Sequence, residues 1–154
     1  MISITVRKPY LKLIDKKRLI TVAEAALTYL LQSKPVDLSV LICSDEEISK
    51  INSRYRNINQ ATDVLSFESG EVIPESDTAH LGDIVISYDS ALEHAIRQSQ
   101  DVGVEVVVLL IHGILHLSGF DHLTKNEKTK MWMKQYEIHN LLNISIDQLP
   151  GENE

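Results

Sequence analysis

Two periods of hydrophobic positions alternate along this chain and predict a mixture of strands and helices. Residues 1–7 alternate between apolar and polar side chains, which is typical of a strand with one buried face. Residues 15–32 place apolar side chains at helical spacing, and Pro35 ends that segment. The apolar run at residues 36–43 then predicts a second strand.

The rest of the chain continues these two periods. Ser44 with Glu47, and Thr124 with Glu127, form capping-box patterns, in which two side chains satisfy free backbone N–H groups where a helix begins. The further predicted elements are strands at residues 61–68 and 81–87 and helices at residues 44–55, 89–100, 105–118 and 124–143.

This order of elements predicts an α+β fold with a small mixed β-sheet packed by about five helices. The length fits a single domain over residues 1–154. Residues 69–80 are predicted to form an acidic loop and residues 147–154 a frayed tail.

Composition and charge narrow the class of protein. The single cysteine, Cys43, excludes a disulfide within the chain, and its apolar surroundings predict a buried, inert thiol. No apolar stretch is long enough to span a membrane, and the first residues lack a signal-peptide pattern, so we expect a cytoplasmic protein. The net charge of −7 is unfavourable for a general polyanion binder, so any nucleic-acid contact must come from a local patch.

Three histidines within residues 105–122 carry the strongest chemical signal. His112 and His116 are four residues apart and share one face of the predicted helix, and Gly119 can end that helix in a left-handed turn. The turn would bring His122 back as a third ligand. Three imidazoles leave the fourth position of a tetrahedral zinc free, as in catalytic sites, so this spacing predicts a hydrolase with one zinc ion per chain. A purely structural cluster is the alternative, but it would need a buried partner for each imidazole.

A second candidate site combines basic and aromatic side chains. Lys50, Arg54 and Arg56 form the densest positive cluster in the middle of the chain. Arginine forks suit phosphate oxygens, and Tyr55 can stack on a base, so Arg54, Tyr55 and Arg56 are candidate RNA-binding residues. The alternative is a solvated helix end, where basic side chains complement the helix dipole.

The remaining polar residues receive simpler interpretations. His80, His94 and His139 have no ligand spacing and are expected at the surface. Asp83, at the start of a predicted strand, is either a turn residue or an outer partner of the metal site. Asp121 can orient one of the ligand histidines.

The motif His112-Gly-x-x-His116-Leu-x-Gly119-Phe-Asp-His122 resembles the signature of the YbeY family, which are bacterial zinc-dependent endoribonucleases of ribosomal RNA maturation. The segments 52–56, 62–67 and 81–84 resemble other blocks of that family, in the same order.

The resemblance implies that His112, His116 and His122 bind zinc, that Arg56 is a functional arginine and that His112 belongs to the catalytic centre. It also implies cleavage of single-stranded RNA, processing of the 3′ end of the small-subunit ribosomal RNA, and a part in ribosome quality control.

Two other functions remain open from the sequence. A metalloprotease-like hydrolase would carry a glutamate base directly after the first histidine, where this chain has Gly113. A non-catalytic ribosome assembly factor would use zinc to stabilise the fold and the arginines to bind RNA. The sequence names no general base, and it leaves water and the RNA 2′-hydroxyl open as the nucleophile.

Overall fold

A computed structural model describes residues 1–32, 35–69 and 79–146. The alternation of periods in the sequence becomes four strands, five α-helices and one short 3₁₀ turn in these residues. The elements are β1 (Ile2–Val6), a 3₁₀ turn (Lys8–Tyr10), α1 (Lys16–Leu31), β2 (Val36–Cys43), α2 (Asp45–Arg56), β3 (Val64–Glu68), β4 (Ala79–Ser87), α3 (Tyr88–Arg97), α4 (Val102–Leu117) and α5 (Lys125–Leu141).

The four strands form one mixed sheet in the order β1-β2-β4-β3. β1, β2 and β4 are parallel, and β3 runs antiparallel along β4 at the edge of the sheet. The prediction of an α+β fold with a small mixed sheet and about five helices is confirmed.

Helix α4 lies at the centre of the molecule. Its residues from Glu105 to Leu115 are all buried, because the segment is apolar on nearly every face. Helices α1, α3 and α5 and strands β3 and β4 contact it. The side chains of Ile42, Ile84 and Ile86 meet α4 and α1 in the main hydrophobic core. A smaller cluster, which includes Ile48 of α2, covers part of the other face of the sheet.

The two helix starts that the capping-box patterns predicted are confirmed by their N-cap hydrogen bonds. The Ser44 hydroxyl accepts a hydrogen bond from Glu47 N at 3.1 Å, and Thr124 Oγ1 accepts one from Glu127 N at 3.1 Å. These caps begin α2 and α5, and α5 is the helix that follows the histidine helix along the chain.

Several predicted boundaries differ from the structure. Helix α4 begins at Val102, because the Asp101 side chain caps it by accepting a hydrogen bond from Gly103 N at 2.7 Å. Strand β4 begins two residues earlier than predicted, at Ala79, and β3 begins later, at Val64. The 3₁₀ turn was not predicted. Most of the predicted acidic loop at 69–80, and the tail at 147–154, lie outside the described residues.

No single helix in the described ranges is long and apolar enough to cross a membrane. Helices α3 and α4 reach the required length and apolarity only as a pair, and they are bent by 119° relative to each other.

Candidate metal centre

Two imidazoles of helix α4 point at one place, as their spacing predicts. His112 Nε2 and His116 Nε2 are 3.2 Å apart. His122 completes the group, and one nitrogen from each of the three rings lies within 4.8 Å of the others. The structure therefore brings together all three histidines that the sequence nominated as ligands.

A glycine turn returns the chain to this point. Gly119 has a φ of +102°, in the left-handed region that glycine adopts without strain. The turn is closed by Gly119 N, which donates to His116 O at 3.1 Å, and by Phe120 N, which donates to Leu115 O at 3.0 Å. A Cβ at residue 119 would meet no atom within 4 Å, so the backbone angle, rather than lack of space, accounts for the glycine.

Burial keeps the α4 imidazoles neutral. Desolvation, and then the charges of His116 and His122, lower the pKa of His112 to about 3. Desolvation, and then the charge of His122, also lower the pKa of His116. A neutral imidazole has the free lone pair that a metal ligand needs, so the donor set fits a metal ion.

The histidines line a cleft of about 950 Å³ between α4, β3 and the end of α2, with His112 buried and His122 exposed. Its lining is mixed in chemistry, with cationic, aromatic and carboxylate side chains around the imidazoles. Among the lining residues are Tyr55, Arg56, Asp63, Phe67, Glu68 and Asp121. The cleft has room for a chain-like substrate as well as for a metal ion.

Arg56 is held at the rim of this cleft. Its Nη2 donates to the Ser66 carbonyl oxygen of β3 at 2.6 Å, and its guanidinium carbon lies 5.2 Å from the centre of the Phe67 ring. Its charge is near enough to the histidines to lower the pKa of His116 further. One hydrogen bond and one ring contact leave guanidinium N–H groups for an anion in the cleft.

Tyr55 and Arg54 sit differently from Arg56. The side chain of Tyr55 is 64% exposed, and it lines both the metal cleft and a neighbouring groove of about 700 Å³. Arg54 lines only the neighbouring groove, with Lys50, and its guanidinium lies 5.5 Å from the centre of the Tyr55 ring. Of the two predicted arginines, the structure places only Arg56 in the metal cleft.

Close packing explains the glycine that follows the first histidine. A Cβ at Gly113 would lie 3.0 Å from both Cδ1 and Cγ2 of Ile84 on β4. The glycine thus allows α4 to lie directly on the sheet. A side chain at this position, such as the glutamate base of a metalloprotease, would have to displace Ile84.

The expectations for the other polar residues have mixed outcomes. His139 is 1% exposed on α5, so its prediction as a surface histidine is wrong, because the sequence did not reveal that its side of α5 packs inward. His94 is half-buried, with Nδ1 3.6 Å from Oε1 of Glu105. Asp83 is exposed, and its Oδ2 is 3.9 Å from Nε2 of His80. Cys43 is buried as predicted.

The sequence interpretation missed Gln135 of α5. This side chain is fully buried, and its Nε2 donates a hydrogen bond to the Val108 carbonyl oxygen of the histidine helix α4. One signal was present in the sequence, since Gln135 is a polar residue between Met131 and Ile138 on an otherwise apolar stripe at helical spacing.

Comparison with known proteins agrees with the site. The Endoribonuclease YbeY family model matches residues 4–143. A Bacillus licheniformis protein named Endoribonuclease YbeY is 42% identical over 116 residues, which cover 71% of this chain and 73% of that protein. A Desulforamulus reducens protein of the same name is 36% identical over 147 residues and 93% of each chain.

A solved structure shares the overall fold. The solution structure of a Thermotoga maritima protein superposes with a TM-score of 0.58 at 25% sequence identity, over 99% of this chain and 100% of that one. The family match over residues 4–143, together with the relatives that are 42% and 36% identical, shows that the chain belongs to the Endoribonuclease YbeY family.

Proposed function

We propose that this protein is a zinc-dependent endoribonuclease that cleaves single-stranded RNA during ribosomal RNA maturation. The observation that carries the proposal is the meeting of three histidines and Arg56 in one cleft. The relatives named Endoribonuclease YbeY point to the same activity.

Zinc is the metal that best suits this donor set. Three imidazoles with a further position facing a cleft are the arrangement of catalytic zinc sites, and carboxylate-rich sites suit magnesium or calcium better. Bound zinc supplies a water of lowered pKa and a positive charge near the attacked phosphorus. His112, His116 and His122 would hold one ion per chain.

Residues of this chain account for binding of the RNA substrate and for stabilisation of the negative charge that develops during cleavage. Arg56 binds a phosphate oxygen of the substrate through the N–H groups that Ser66 and Phe67 leave free, and it offsets negative charge that develops there during cleavage. His112 serves the reaction as a buried ligand, and Arg56 serves it by direct contact with the substrate.

Tyr55 supports a preference for single strands. Its exposed ring at the rim offers a flat surface to a base, and only an unstacked base can reach such a surface. Arg54 and Lys50 in the neighbouring groove extend the positive surface beyond Tyr55, and can bind phosphates on that side.

The proposal also covers the cellular compartment, the RNA substrate and the process that the protein serves. We place the protein in the cytoplasm, with the small-subunit ribosomal RNA 3′ end as substrate and with a part in ribosome quality control. The buried thiol of Cys43 has its pKa raised to about 12, mainly by burial, so it is inert and takes no part in this activity.

The test uses purified protein whose zinc content has been measured. Wild type, His116→Ala and His80→Ala are incubated with a single-stranded RNA and with its duplex. We expect wild type and His80→Ala to cleave the single strand, and His116→Ala to lose both zinc and cleavage. His80 is a matched control because it lies outside the cleft lining.

Two results would contradict the proposal. Equal cleavage by wild type and His116→Ala would indicate a contaminating nuclease. A zinc-loaded wild type that cleaves no RNA but binds small ribosomal subunits would favour an assembly factor without catalytic activity.

A further inference from the structure

The amide of Gln135 on helix α5 is fully buried and is hydrogen-bonded to the backbone of the histidine helix α4. Burial of an amide is costly unless its two N–H groups and its oxygen find partners. The partners of this side chain therefore show what it does in the fold.

The amide nitrogen of Gln135 has two hydrogen-bonding partners. Gln135 Nε2 donates to the Val108 carbonyl oxygen at 3.0 Å and lies 3.4 Å from Nε2 of His139. Because a carbonyl oxygen can only accept, the first contact fixes which end of the amide is nitrogen. The second N–H then points to His139 Nε2, which must be the unprotonated nitrogen of that ring.

The amide oxygen is the atom of this side chain that remains without a partner. Gln135 Oε1 and His112 Nδ1 are both buried without a partner at ordinary hydrogen-bond distance. Val108 lies four residues before His112, so an amide bonded to the Val108 carbonyl is on the side of α4 that His112 shares. The Gln135 side chain acts to raise the pKa of His112, the sign expected of an acceptor near the ring N–H.

We propose that Gln135 positions His112 for metal binding, its Oε1 accepting a hydrogen bond from His112 Nδ1–H so that the lone pair of His112 Nε2 faces His116 and His122. The inference rests on the proposed function only in treating the three histidines as the metal ligands. Gln135 is a positioning residue, since it lines no part of the cleft and acts through His112.

This arrangement explains why a glutamine is suited to the position. Its oxygen selects one tautomer of His112, and its nitrogen ties α5 to the backbone of α4. Met of similar volume would fill the space but offer no acceptor. Glu would keep an acceptor for His112 but lose the donor to Val108.

The first experiment measures zinc affinity by competition with a chromophoric chelator. Partners that orient a ligand histidine typically contribute 10- to 100-fold in metal affinity. We expect Gln135→Met to bind zinc about 10- to 100-fold more weakly, and Gln135→Glu to stay closer to wild type than Gln135→Met does.

A matched control separates orientation from packing. His139→Leu removes the other side-chain partner of Gln135 and disturbs the same contact between α4 and α5, but it leaves Oε1 in place. We expect its zinc affinity to stay near that of wild type. If His139→Leu and Gln135→Met weakened zinc binding equally, Gln135 would act through packing and the proposal would be wrong.

A second measurement needs no variant and no RNA. The ¹⁵N chemical shifts of the His112 ring in zinc-free wild type report which nitrogen carries the proton. The Nδ1–H form supports the proposal, and the Nε2–H form overturns it. This result stands even if Gln135→Met fails to fold, and it is independent of whether the protein cleaves RNA.

Discussion

Arg56 combines a fixed position with free donors. The Ser66 carbonyl and the Phe67 ring hold its guanidinium at the rim of the metal cleft, while Arg54, two residues earlier, lies in the neighbouring groove. Residues that share a short segment of sequence thus have different surroundings, and they should contribute differently to catalysis.

We predict that Arg56→Ala lowers kcat/KM for single-stranded RNA by about 10²- to 10³-fold, the usual loss when a donor to transition-state charge is removed. Arg54→Ala should mainly raise KM, because its groove does not contain the metal ligands. Single-turnover and steady-state cleavage assays give both values. Arg97→Ala on α3 is the control, and equal effects of Arg54→Ala and Arg56→Ala on kcat would contradict the assignment.

His139 makes stability dependent on pH. Burial lowers its pKa from 6.5 to about 4, so between these values the folded protein keeps it neutral and the unfolded chain protonates it. The unfolded state then binds more protons, and stability falls as pH falls through this window.

We predict that metal-free wild type loses about 2–3 kcal/mol from this residue between pH 7 and pH 4.5, since each unit of pKa shift corresponds to about 1.4 kcal/mol. Urea denaturation of wild type and His139→Leu at both pH values measures it. The variant should show a smaller loss, and parallel losses in the two proteins would show that His139 titrates normally in the fold.

At the scale of elements, the position of α4 depends on how closely it packs against the sheet. Gly113 lies against Ile84 of β4, and a Cβ there would stand 3.0 Å from two atoms of that side chain. This contact limits how closely α4 approaches the sheet. It therefore influences where His112 and His116 lie relative to the edge strand β3.

We predict that Gly113→Ala destabilises the protein by about 1–2 kcal/mol, because the cost of overpacking exceeds the gain in helix propensity. In an Ile84→Ala background the same substitution should be neutral or stabilising, since the opposing atoms are gone. Thermal or urea unfolding of the four proteins in this cycle gives the coupling. Additive effects would mean that Ile84 does not restrain the helix.

At the scale of the whole molecule, the net charge of −7 opposes long-range attraction of RNA. Among the described residues, the cations that line the cleft or the adjoining groove are Arg56 at the cleft rim and Arg54, Lys50 and Arg7 in the groove. Lys50 and Arg7 are paired with Glu46 and Glu47, which offsets part of their charge. Binding should therefore rest on few phosphate contacts.

We predict a shallow salt dependence, with log K against log[salt] having a slope no steeper than about −2, since each contact to a single strand contributes roughly −0.7. Fluorescence anisotropy with a non-cleaved RNA over a salt series measures the slope. Arg56→Ala should make it shallower by about 0.7. A slope steeper than about −4 would require a much larger basic surface than this one.

The sequence by itself determined the features that depend on neighbours along the chain. The two hydrophobic periods predicted the strands and helices, and the capping boxes marked the starts of α2 and α5. The histidine spacing predicted that His112 and His116 share one face of a helix, and Gly119 predicted the turn that follows it. These features follow from backbone geometry over a few residues, which the order of side chains sets directly.

Only the tertiary structure decided the features that depend on contacts between distant segments. It placed Arg56 in the cleft and Arg54 outside it, buried His139, and bonded the Gln135 amide to the Val108 carbonyl of α4. Each of these outcomes depends on which face of one element packs against another. Periodicity shows that a helix has an apolar face. It does not show which partner a polar residue on that face will contact, because that contact forms only when the helices pack together.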